Sequence, residues 1–581
     1  MRLLLFSVSL AAAATVNLDW NVSWVDASPD GYTRKVIGVN GYWPPPTVNV
    51  TKGDRVVINA TNSLGDENLS LHAHGLFFNG TNSMDGAAGV TQWCIYLKIP
   101  MLTPSGIPPG SSILYNYTIV NQAGTFWIHS HVHGQYPDGL RSPFIIHDTE
   151  EPYTYDEEYV VTLSDWYHDR MKTLIPVFMN IANPTGAEPV PKSALINDQS
   201  GATFSFLKGK TYRLRIVNMS AFAAFNFWLE DHEMSVIEVD GVHTEPRNTT
   251  ALYITAAQRY SVLVTAKDDT TSNYAMVGSM DTTMFDTVPS GLNPNATAHI
   301  VYGTDWPLPK ASYISSFPSW DDTTLSPLQP IPPYKYDTQH QLDVKMDVLK
   351  DGENYAFFNN ITYVPPKVPT LYSVMSSGDQ STDPIIYGPN TNQILLNHMN
   401  VVQLVVNNYD PGKHPFHLHG HTFQVISREY GAFDPIKTID EPKNPLRRDV
   451  IYVPPNGHVV LRFVADNPGV WLFHCHIEWH MVSGLVATFI EAPDLIQSTQ
   501  TIPDSHYAVC AQQKIPTSGN AAANIVNWDD LTGANRDIGE LPSGFTAKGY
   551  GAMAGCILSA VLGLSAVITY GITGKKNIQT S

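Results

Sequence analysis

The chain has 581 residues, and at roughly 150 residues per domain this length suggests three or four domains. Hydrophobic residues make up 43% of the chain and charged residues only 15%, which excludes a disordered chain or a coiled coil. Acidic residues outnumber basic residues 53 to 34, and this balance argues against nucleic-acid binding, which needs a basic surface. It favours a soluble surface that tolerates or attracts cations.

The first 14 residues have the layout of a secretory signal. In Met1–Ala14, one arginine precedes a short apolar stretch that ends in small residues. This order is typical of a signal peptide. We therefore predict a signal peptide over residues 1–14, with a first β-strand as the alternative.

The body of the chain consists of short segments rich in β-branched and aromatic residues, separated by clusters of Gly, Pro, Asn and Asp. Arg55–Ala60, Arg213–Asn218 and Val459–Asp466 are examples. The pattern is typical of all-β sandwiches or barrels. A proline-rich stretch, Asp305–Tyr334, predicts a linker between domains. The predicted units are domains at residues 15–148, 149–303 and 304–497 (including the linker), and a stalk at residues 498–550.

The C-terminal region contains an uncharged apolar stretch, Gly551–Thr573, that is long enough to cross a bilayer of about 30 Å as a helix. Lys575 and Lys576 follow it, so the positive-inside rule places the tail, residues 574–581, in the cytoplasm. A buried core helix and a glycolipid-anchor signal are the alternatives. The sequence thus predicts a single-pass type I membrane protein with a large ectodomain.

Ten N-x-S/T sequons between these ends indicate a glycosylated lumenal or extracellular body. They are Asn21, Asn49, Asn59, Asn68, Asn79, Asn116, Asn218, Asn248, Asn295 and Asn360. In an oxidising compartment, Cys94 and Cys510 are a possible disulfide pair, and the alternative is a buried free thiol at either position.

The histidines form six His-x-His pairs, whereas about 0.8 would be expected by chance. The pairs lie in four clusters, LHAHG, WIHSHVHG, HPFHLHGH and FHCHIEWH. Because residues i and i+2 of a strand face the same side, each pair points two imidazoles into one space. Imidazole suits copper, iron, zinc and nickel, so the four clusters together predict a metal centre with many ligands.

The last cluster narrows the metal to copper. Cys475 lies between His474 and His476 and must point away from both, so its thiolate is aimed at a second, separate site. A cysteinate with two imidazoles is typical of blue copper, and His414 and His480 are the natural partners. Zinc has no redox chemistry and would not need this short covalent connection between two metal sites.

The four clusters, their order, and the segments GTFWIHSHVHGQYPDGLRSPFIIHD and NPGVWLFHCHIEWH resemble the multicopper oxidases from about Thr15 to Pro493. The resemblance implies an all-β fold of three cupredoxin-like Greek-key β-sandwich domains. It also implies four copper ions as cofactors: one type-1, one type-2 and two type-3. The type-2 and type-3 ions would form a trinuclear cluster between the first and third domains.

The same resemblance assigns the ligands. The type-1 copper takes His414, Cys475 and His480, with Leu485 at the axial position, where an apolar residue gives no fourth bond. The type-2 copper takes His72 and His417, and the type-3 pair takes His74, His129, His131, His419, His474 and His476. Asp85 and Glu478 resemble the acids that supply protons during dioxygen reduction, with structural hydrogen bonding as the alternative role.

The segments NPTGAEP, DTTMFD, NNITY and NNYDPGKHPFHLHGH resemble the membrane-anchored fungal ferroxidases of high-affinity iron uptake. By this resemblance, Glu188, Asp286 and Asp410 form an iron site beside the type-1 copper, with Tyr363 and Asp281 nearby. Hard carboxylates favour ferric over ferrous iron, which lowers the iron potential and makes Fe(II) a better reductant.

The expected function is oxidation of Fe(II) to Fe(III) with four-electron reduction of dioxygen to water. The expected location is the plasma membrane, with the catalytic ectodomain outside the cell and an iron permease in the same membrane as the implied partner. A laccase-like oxidase of phenols or aromatic amines is the nearest alternative. A non-catalytic copper-binding surface protein is another, and a vacuolar membrane is an alternative location.

Two features depart from the family pattern. Trp93–Gly106 stands where the family has a short stretch of two residues, and it is either a genuine loop or a gene-model error. His133 stands where these ferroxidases carry Asp, and we expect it to lie beside the copper ligands rather than to be one of them.

Overall fold

The fold was analysed in a computed structural model that describes residues 13–92, 106–268, 270–310, 317, 318, 320–541, 544 and 547–578. The predicted signal peptide, apart from its last two residues, and the segment 93–105 with Cys94 lie outside these ranges. The described strands form six sheets, two for each of three successive parts of the chain. This arrangement confirms the predicted all-β fold.

The first two sheets have the strand orders β2-β1-β4-β6 and β3-β8-β7-β5. Their strands are β1 (Thr15–Ala27), β2 (Arg34–Val39), β3 (Val48–Thr51), β4 (Arg55–Asn62), β5 (His72–His74), β6 (Ser112–Thr118), β7 (Gly124–His129) and β8 (Arg141–His147). In β4, Val56, Ile58 and Ala60 are buried and alternate with exposed or half-buried residues, which is the pattern of a strand with one face against a core. A short 3-10 helix, Asn82–Met84, precedes Asp85.

The second pair of sheets has the orders β10-β9-β12-β17-β14-β15 and β11-β19-β18-β13-β16. Its elements are β9 (Glu157–Trp166), α1 (Met171–Phe178), β10 (Ser193–Ile196), β11 (Thr203–Ser205), β12 (Thr211–Asn218), β13 (Phe225–Leu229), β14 (Met234–Val239), β15 (Val242–Thr249), β16 (Ala251–Ile254), β17 (Arg259–Thr265), β18 (Tyr274–Met280) and β19 (Asn295–Val301). Two connections of this part matter for the site: the loop after α1, which carries Glu188, and the 3-10 helix Thr282–Met284, which precedes Asp286.

The third pair of sheets has the orders β21-β20-β23-β28-β25-β26 and β22-β30-β29-β24-β27. Its elements are β20 (Thr338–Val348), β21 (Asn354–Phe358), α2 (Thr370–Ser376), β22 (Gln393–Leu396), β23 (Val401–Asn408), β24 (His414–Leu418), β25 (Phe423–Tyr430), β26 (Arg447–Arg448), β27 (Val450–Val453), β28 (Gly457–Val464), β29 (Gly469–Cys475), α3 (Glu478–Val482), β30 (Val486–Glu491) and α4 (Pro493–Thr499). Further 3-10 helices are Asp322–Thr324, Gly378–Thr382 and Pro384–Tyr387. Strands β24 and β29 pair at the centre of the second sheet, and both are fully buried.

The segment after α4 corresponds to the predicted stalk, and its first forty residues pack on the body. Helix α5 (Asp504–Gln513) buries His506 and Cys510, and Gln513 donates a hydrogen bond to the Gly106 carbonyl of the first sheet pair (3.0 Å). Further on, Asn520 is fully buried, and Glu540 forms a β-bridge with Leu349. The connection that remains before α6 (Ala547–Ile578) is therefore short.

One predicted sequon is excluded by its position. Asn218 is fully buried, and its side-chain amide donates to the carbonyls of Ala223 (3.0 Å) and Ile254 (2.9 Å). A glycan on this nitrogen would break both bonds and would have no room. Asn218 is therefore a structural residue of β12 in the folded protein.

Candidate metal centres

The first candidate centre lies around the thiol of Cys475. Cys475 ends β29, His414 begins the neighbouring β24, and His480 lies on α3. The Cys475 Sγ lies 3.8 Å from Nδ1 of His414 and 3.5 Å from Nδ1 of His480, and all three residues are buried. Burial alone would raise the pKa of Cys475, but the two imidazoles lower it to about 7, which favours the thiolate that binds metal. One thiolate and two imidazoles are the donor set of blue copper.

Eight further imidazoles converge between the first and third sheet pairs. The strand pairings bring them together: His72 lies opposite His129 in the first part, and His417 lies opposite His474 in the third. Across the interface, the ring of His72 stacks on that of His419 at 4.1 Å. Three groups made of these imidazoles alone have ligand atoms that all lie within 4.8 Å of one another: His72, His74 and His417; His74, His129 and His476; and His131, His419 and His474.

The hydrogen bonds of His72, His129 and His417 leave Nε2 of each ring free for a metal. Nδ1–H of His72 donates to the carbonyl of Asp85 (2.7 Å), and that of His417 donates to the carbonyl of Asp449 (3.0 Å). The opposite Nε2 atoms of both rings, and that of His129, are buried without a hydrogen-bond partner among the described residues. Buried polar atoms are normally paired, so a metal ion is the fitting partner.

The protonation state of the cluster suits metal binding. Burial lowers the pKa of six of these histidines well below the ordinary value, and the neighbouring imidazoles lower it further. They are His74, His129, His131, His417, His419 and His476. Neutral imidazole is the form that ligates a metal. The residues therefore fit the predicted trinuclear copper centre.

Two predicted acids lie against this cluster. A carboxylate oxygen of Asp85 lies 3.2 Å from Nδ1 of His72, and both of its oxygens lie 3.0 Å from Nδ1 of His419. Glu478 accepts a hydrogen bond of 2.5 Å from the backbone of Gly134, and burial raises its pKa to about 7. Glu478 also lines a cavity of about 10 Å³ that reaches the rings of the cluster, which is the size of one water molecule. Both acids are therefore placed to hold or pass a proton.

A larger cavity, which we call the vestibule, opens on the other side of the thiolate centre. Its volume is about 320 Å³, and its lining includes His480, Glu188, Asp286 and Asp410. Nε2 of His480 lies 2.7 Å from the Glu188 carboxylate, and Nε2 of His414 lies 3.1 Å from that of Asp410. Each of the two imidazoles thus bridges the thiolate to one acid of the vestibule.

The three acids of the vestibule lie close enough to influence one another. Burial, together with the charges of Glu188 and Asp410, raises the pKa of Asp286. Asp410 behaves differently: burial raises its pKa, but the hydrogen bond from His414 lowers it to about 2. Such a concentration of carboxylates favours a cation in the vestibule.

Two residues expected near the iron site are placed differently from these acids. Asp281 accepts hydrogen bonds from Nζ of Lys413 (2.7 Å) and from the hydroxyl of Tyr253 (2.7 Å). Its carboxylate is therefore engaged by these two side chains. Tyr363 is not among the described residues that line the vestibule, and its backbone N–H donates to the carbonyl of Gly484 (3.0 Å). His133 is half-buried and belongs to none of the ligand groups of the described residues.

Sequence reasoning missed a buried ion pair beneath the cluster. Arg259 of the second sheet pair donates two hydrogen bonds of 2.6 Å to Asp449, whose carbonyl holds His417. Gly75 has a φ of +86°, and a Cβ there would lie 2.6 Å from the Asp449 carboxylate. Arg259 and Asp449 are 190 residues apart, so no local pattern signals this pairing.

Profiles of the multicopper oxidases match residues 21–151, 157–305 and 363–495. These matches cover more than half of the chain, and the chain therefore belongs to the multicopper oxidase family. It is an oxidoreductase with the cupredoxin-like fold of that family, and copper is its metal.

Among individual relatives, the chain is 51% identical to the iron transport multicopper oxidase fetC of Epichloe festucae, over 98% of this chain and 91% of that protein. It is 46% identical to the iron transport multicopper oxidase FET3 of Saccharomyces cerevisiae, with the same two coverages. The crystal structure of Fet3p, described as a multicopper oxidase that functions in iron import, superposes with a TM-score of 0.86 at 47% identity, covering 90% of this chain and 99% of that one. A laccase from Botrytis aclada gives a TM-score of 0.75 at 27% identity, over 86% and 92%.

Proposed function

We propose that this multicopper oxidase is a ferroxidase, which oxidises Fe(II) with dioxygen in iron uptake. The observation that carries the proposal is the pair of carboxylate–imidazole hydrogen bonds: Glu188 to His480, and Asp410 to His414. With Asp286 they provide three hard oxygen donors on the wall of one cavity. The relatives named for iron transport support the same donor.

The proposed ligands follow the donor sets described above. The type-1 copper would be held by His414, Cys475 and His480, and the type-2 copper by His72 and His417. The type-3 pair would be held by His74, His129, His131, His419, His474 and His476. When bound, the four ions would carry four electrons, one at a time, from the donor to dioxygen, giving two waters.

The residues of the chain have separable tasks in this reaction. Glu188, Asp286 and Asp410 bind Fe(II) and stabilise the higher charge of Fe(III), which lowers the potential of the iron and makes it a better reductant. The hydrogen bonds to His480 and His414 give the electron a path from the vestibule to the thiolate centre. Asp85 and Glu478 hold protons beside the histidine cluster, where the reaction consumes four protons for each dioxygen.

We also propose the plasma membrane as the location, with α6 as the anchor, the catalytic body outside the cell, and an iron permease as the partner. The longest apolar stretch of the described helices, Ala547–Thr573, supports the anchor by its length and composition.

The decisive experiment is oxygen uptake by the copper-loaded protein, with Fe(II) or a diphenol as the donor. We expect turnover of Fe(II), with four iron ions oxidised for each dioxygen. Replacing Glu188 and Asp410 together by Ala should reduce turnover of Fe(II) far more than that of the diphenol. Equal losses for the two donors would instead favour a laccase-like oxidase.

A further inference from the structure

The body of the protein is joined to its C-terminal helix at one hairpin. Strands β20 and β21 pair through Val348 and Asn354, and the turn between them is residues 349–353. The end of the packed C-terminal segment pairs with this turn: the Lys350 N–H donates to the carbonyl of Gly539 (3.0 Å), and Leu349 bridges to Glu540. Leu349 is buried, so this attachment is part of the folded body.

The same hairpin forms part of the vestibule. Met346 on β20 and Asn354 on β21 both line the cavity. The side-chain amide of Asn354 donates to the carbonyl of Pro184 (3.2 Å), in the loop that carries Glu188. The point at which the chain leaves the body is therefore beside the cavity that the proposed electron donor would enter.

The hairpin also projects beyond the rest of its sheet. The parallel pairing of β20 with β23 ends at Val344 opposite Asn408, and Asp410 follows two residues later. Strand β20 continues for four more residues, to Val348, which at about 3.3 Å per residue carries the turn roughly 13 Å past the end of β23. The turn thus projects past the end of β23, where it packs against the loop after α1: a Cβ at Gly352 would lie 2.8 Å from Ile181.

Only a short connection separates this turn from the apolar helix. Six residues, 541–546, separate Glu540 from Ala547, where α6 begins, and the seven steps from residue to residue span at most about 24 Å at about 3.4 Å each. A compact body of this size has a radius of gyration of about 24 Å and a diameter of about 60 Å. The connection is therefore less than half as long as the body is wide.

We propose that this short connection holds the opening of the vestibule beside the lipid headgroups, so that the donor enters and the oxidised product leaves through the gap between the body and the bilayer. The proposal rests on the membrane anchor and on the donor site proposed above. The surface around the turn would face the bilayer, because the short connection to α6 tethers the turn to it.

Energy transfer to a labelled bilayer tests this placement in the full-length, copper-loaded protein. A donor dye is attached at Lys350→Cys or at Met399→Cys, each in a Cys556→Ser background, and the acceptor is on phosphatidylcholine headgroups. Both positions are exposed, but Met399 precedes β23 and lies at the far end of the sheet. We expect transfer from position 350 to exceed that from position 399 by about twofold or more, because the eight residues of β23 and the projecting turn separate them by roughly 40 Å.

A second test lengthens the connection by inserting a flexible Gly-Ser segment of about 20 residues after Leu541. Such a segment adds an r.m.s. length of about 25 Å. Transfer from position 350 should fall, while Fe(II) oxidation by the detergent-solubilised protein stays at the wild-type rate. Equal transfer from both positions, or transfer that the insertion leaves unchanged, would overturn the placement. Failure of the wild-type protein to oxidise Fe(II) would instead overturn the proposed ferroxidase function, because the transfer measurement does not depend on turnover.

Discussion

The Glu188→Gln substitution separates the charge of the Glu188 side chain from its hydrogen bond with His480. In the proposed iron site the carboxylate of Glu188 would supply charge for the iron, and in the structure it accepts a hydrogen bond from His480 at 2.7 Å. Glutamine has nearly the same shape and keeps an oxygen that accepts this bond, but it removes the charge. Alanine removes both.

The expected size of the charge effect follows from the type of contact. A hydrogen bond or ligand contact to a charged group contributes roughly 1.5–3 kcal/mol. Since 1.4 kcal/mol corresponds to a factor of ten, KM for Fe(II) should rise about 10- to 100-fold in Glu188→Gln, with kcat close to that of the wild type. In Glu188→Ala, kcat should fall as well, because the hydrogen-bonded path to His480 is lost.

Steady-state oxygen uptake with Fe(II) and with a diphenol measures both parameters for the three proteins. Glu157→Gln is the matched control, because Glu157 is an exposed residue of β9 outside the vestibule and the change in net charge is the same. The reasoning fails if KM for Fe(II) is unchanged in Glu188→Gln, or if KM for the diphenol rises by the same factor.

Three further predictions concern the rest of the molecule. In Cys475→Ser, we expect loss of the intense blue absorption near 600 nm and of turnover with every donor, with about three of four coppers retained; a surviving blue band would refute the assigned thiolate. Arg259→Met leaves Asp449 as an unpaired buried charge, so stability should fall by roughly 3–5 kcal/mol and the type-2 copper EPR signal should weaken; an unchanged signal would show that the ion pair does not position His417. Burial raises the pKa of Glu238, but Arg213 and Arg215 lower it to about 2, below the ordinary 4.5, so its stabilisation is complete above about pH 4.5 and is lost as the pH falls through about 2. Thermal unfolding of Glu238→Gln should therefore show a deficit at pH 7 that shrinks on acidification, and a deficit independent of pH would contradict this assignment.

The histidine clusters could be predicted from the sequence because each cluster depends only on the alternation of side chains along one short segment. Alternation along a strand places His72 and His74, or His474 and His476, on one side, and in the structure the ring centroids of these pairs lie 5.7 Å and 5.5 Å apart. The direction of Cys475 follows from the same alternation, and its thiolate does face His414 and His480. The all-β fold was predictable for the same reason, since apolar and polar residues alternate within each half-buried strand.

Features that depend on contacts between distant segments could not be predicted in this way. The pairing of Arg259 with Asp449 and the bond from Lys413 to Asp281 each join the second and third sheet pairs. The packing of residues 498–541 was missed because their polar, proline-containing sequence is compatible with an exposed stalk, whereas burial of Cys510 and Asn520 depends on surfaces built elsewhere in the chain.

The two kinds of centre use the imidazole ring in opposite directions, and this difference predicts that a cation at the proposed donor site would affect one centre alone. In the cluster, Nδ1 of His72 and His417 is fixed by a backbone carbonyl, and Nε2 faces inward. At the thiolate centre, Nδ1 of His414 faces the sulfur, and Nε2 faces the acid of the vestibule. A cation that draws charge from Asp410 therefore changes the hydrogen bond on a ring that would also ligate the type-1 copper. Among the described residues, none of the rings of the cluster lines the vestibule, so binding of the proposed donor should perturb the blue absorption band while leaving the type-2 EPR signal unchanged.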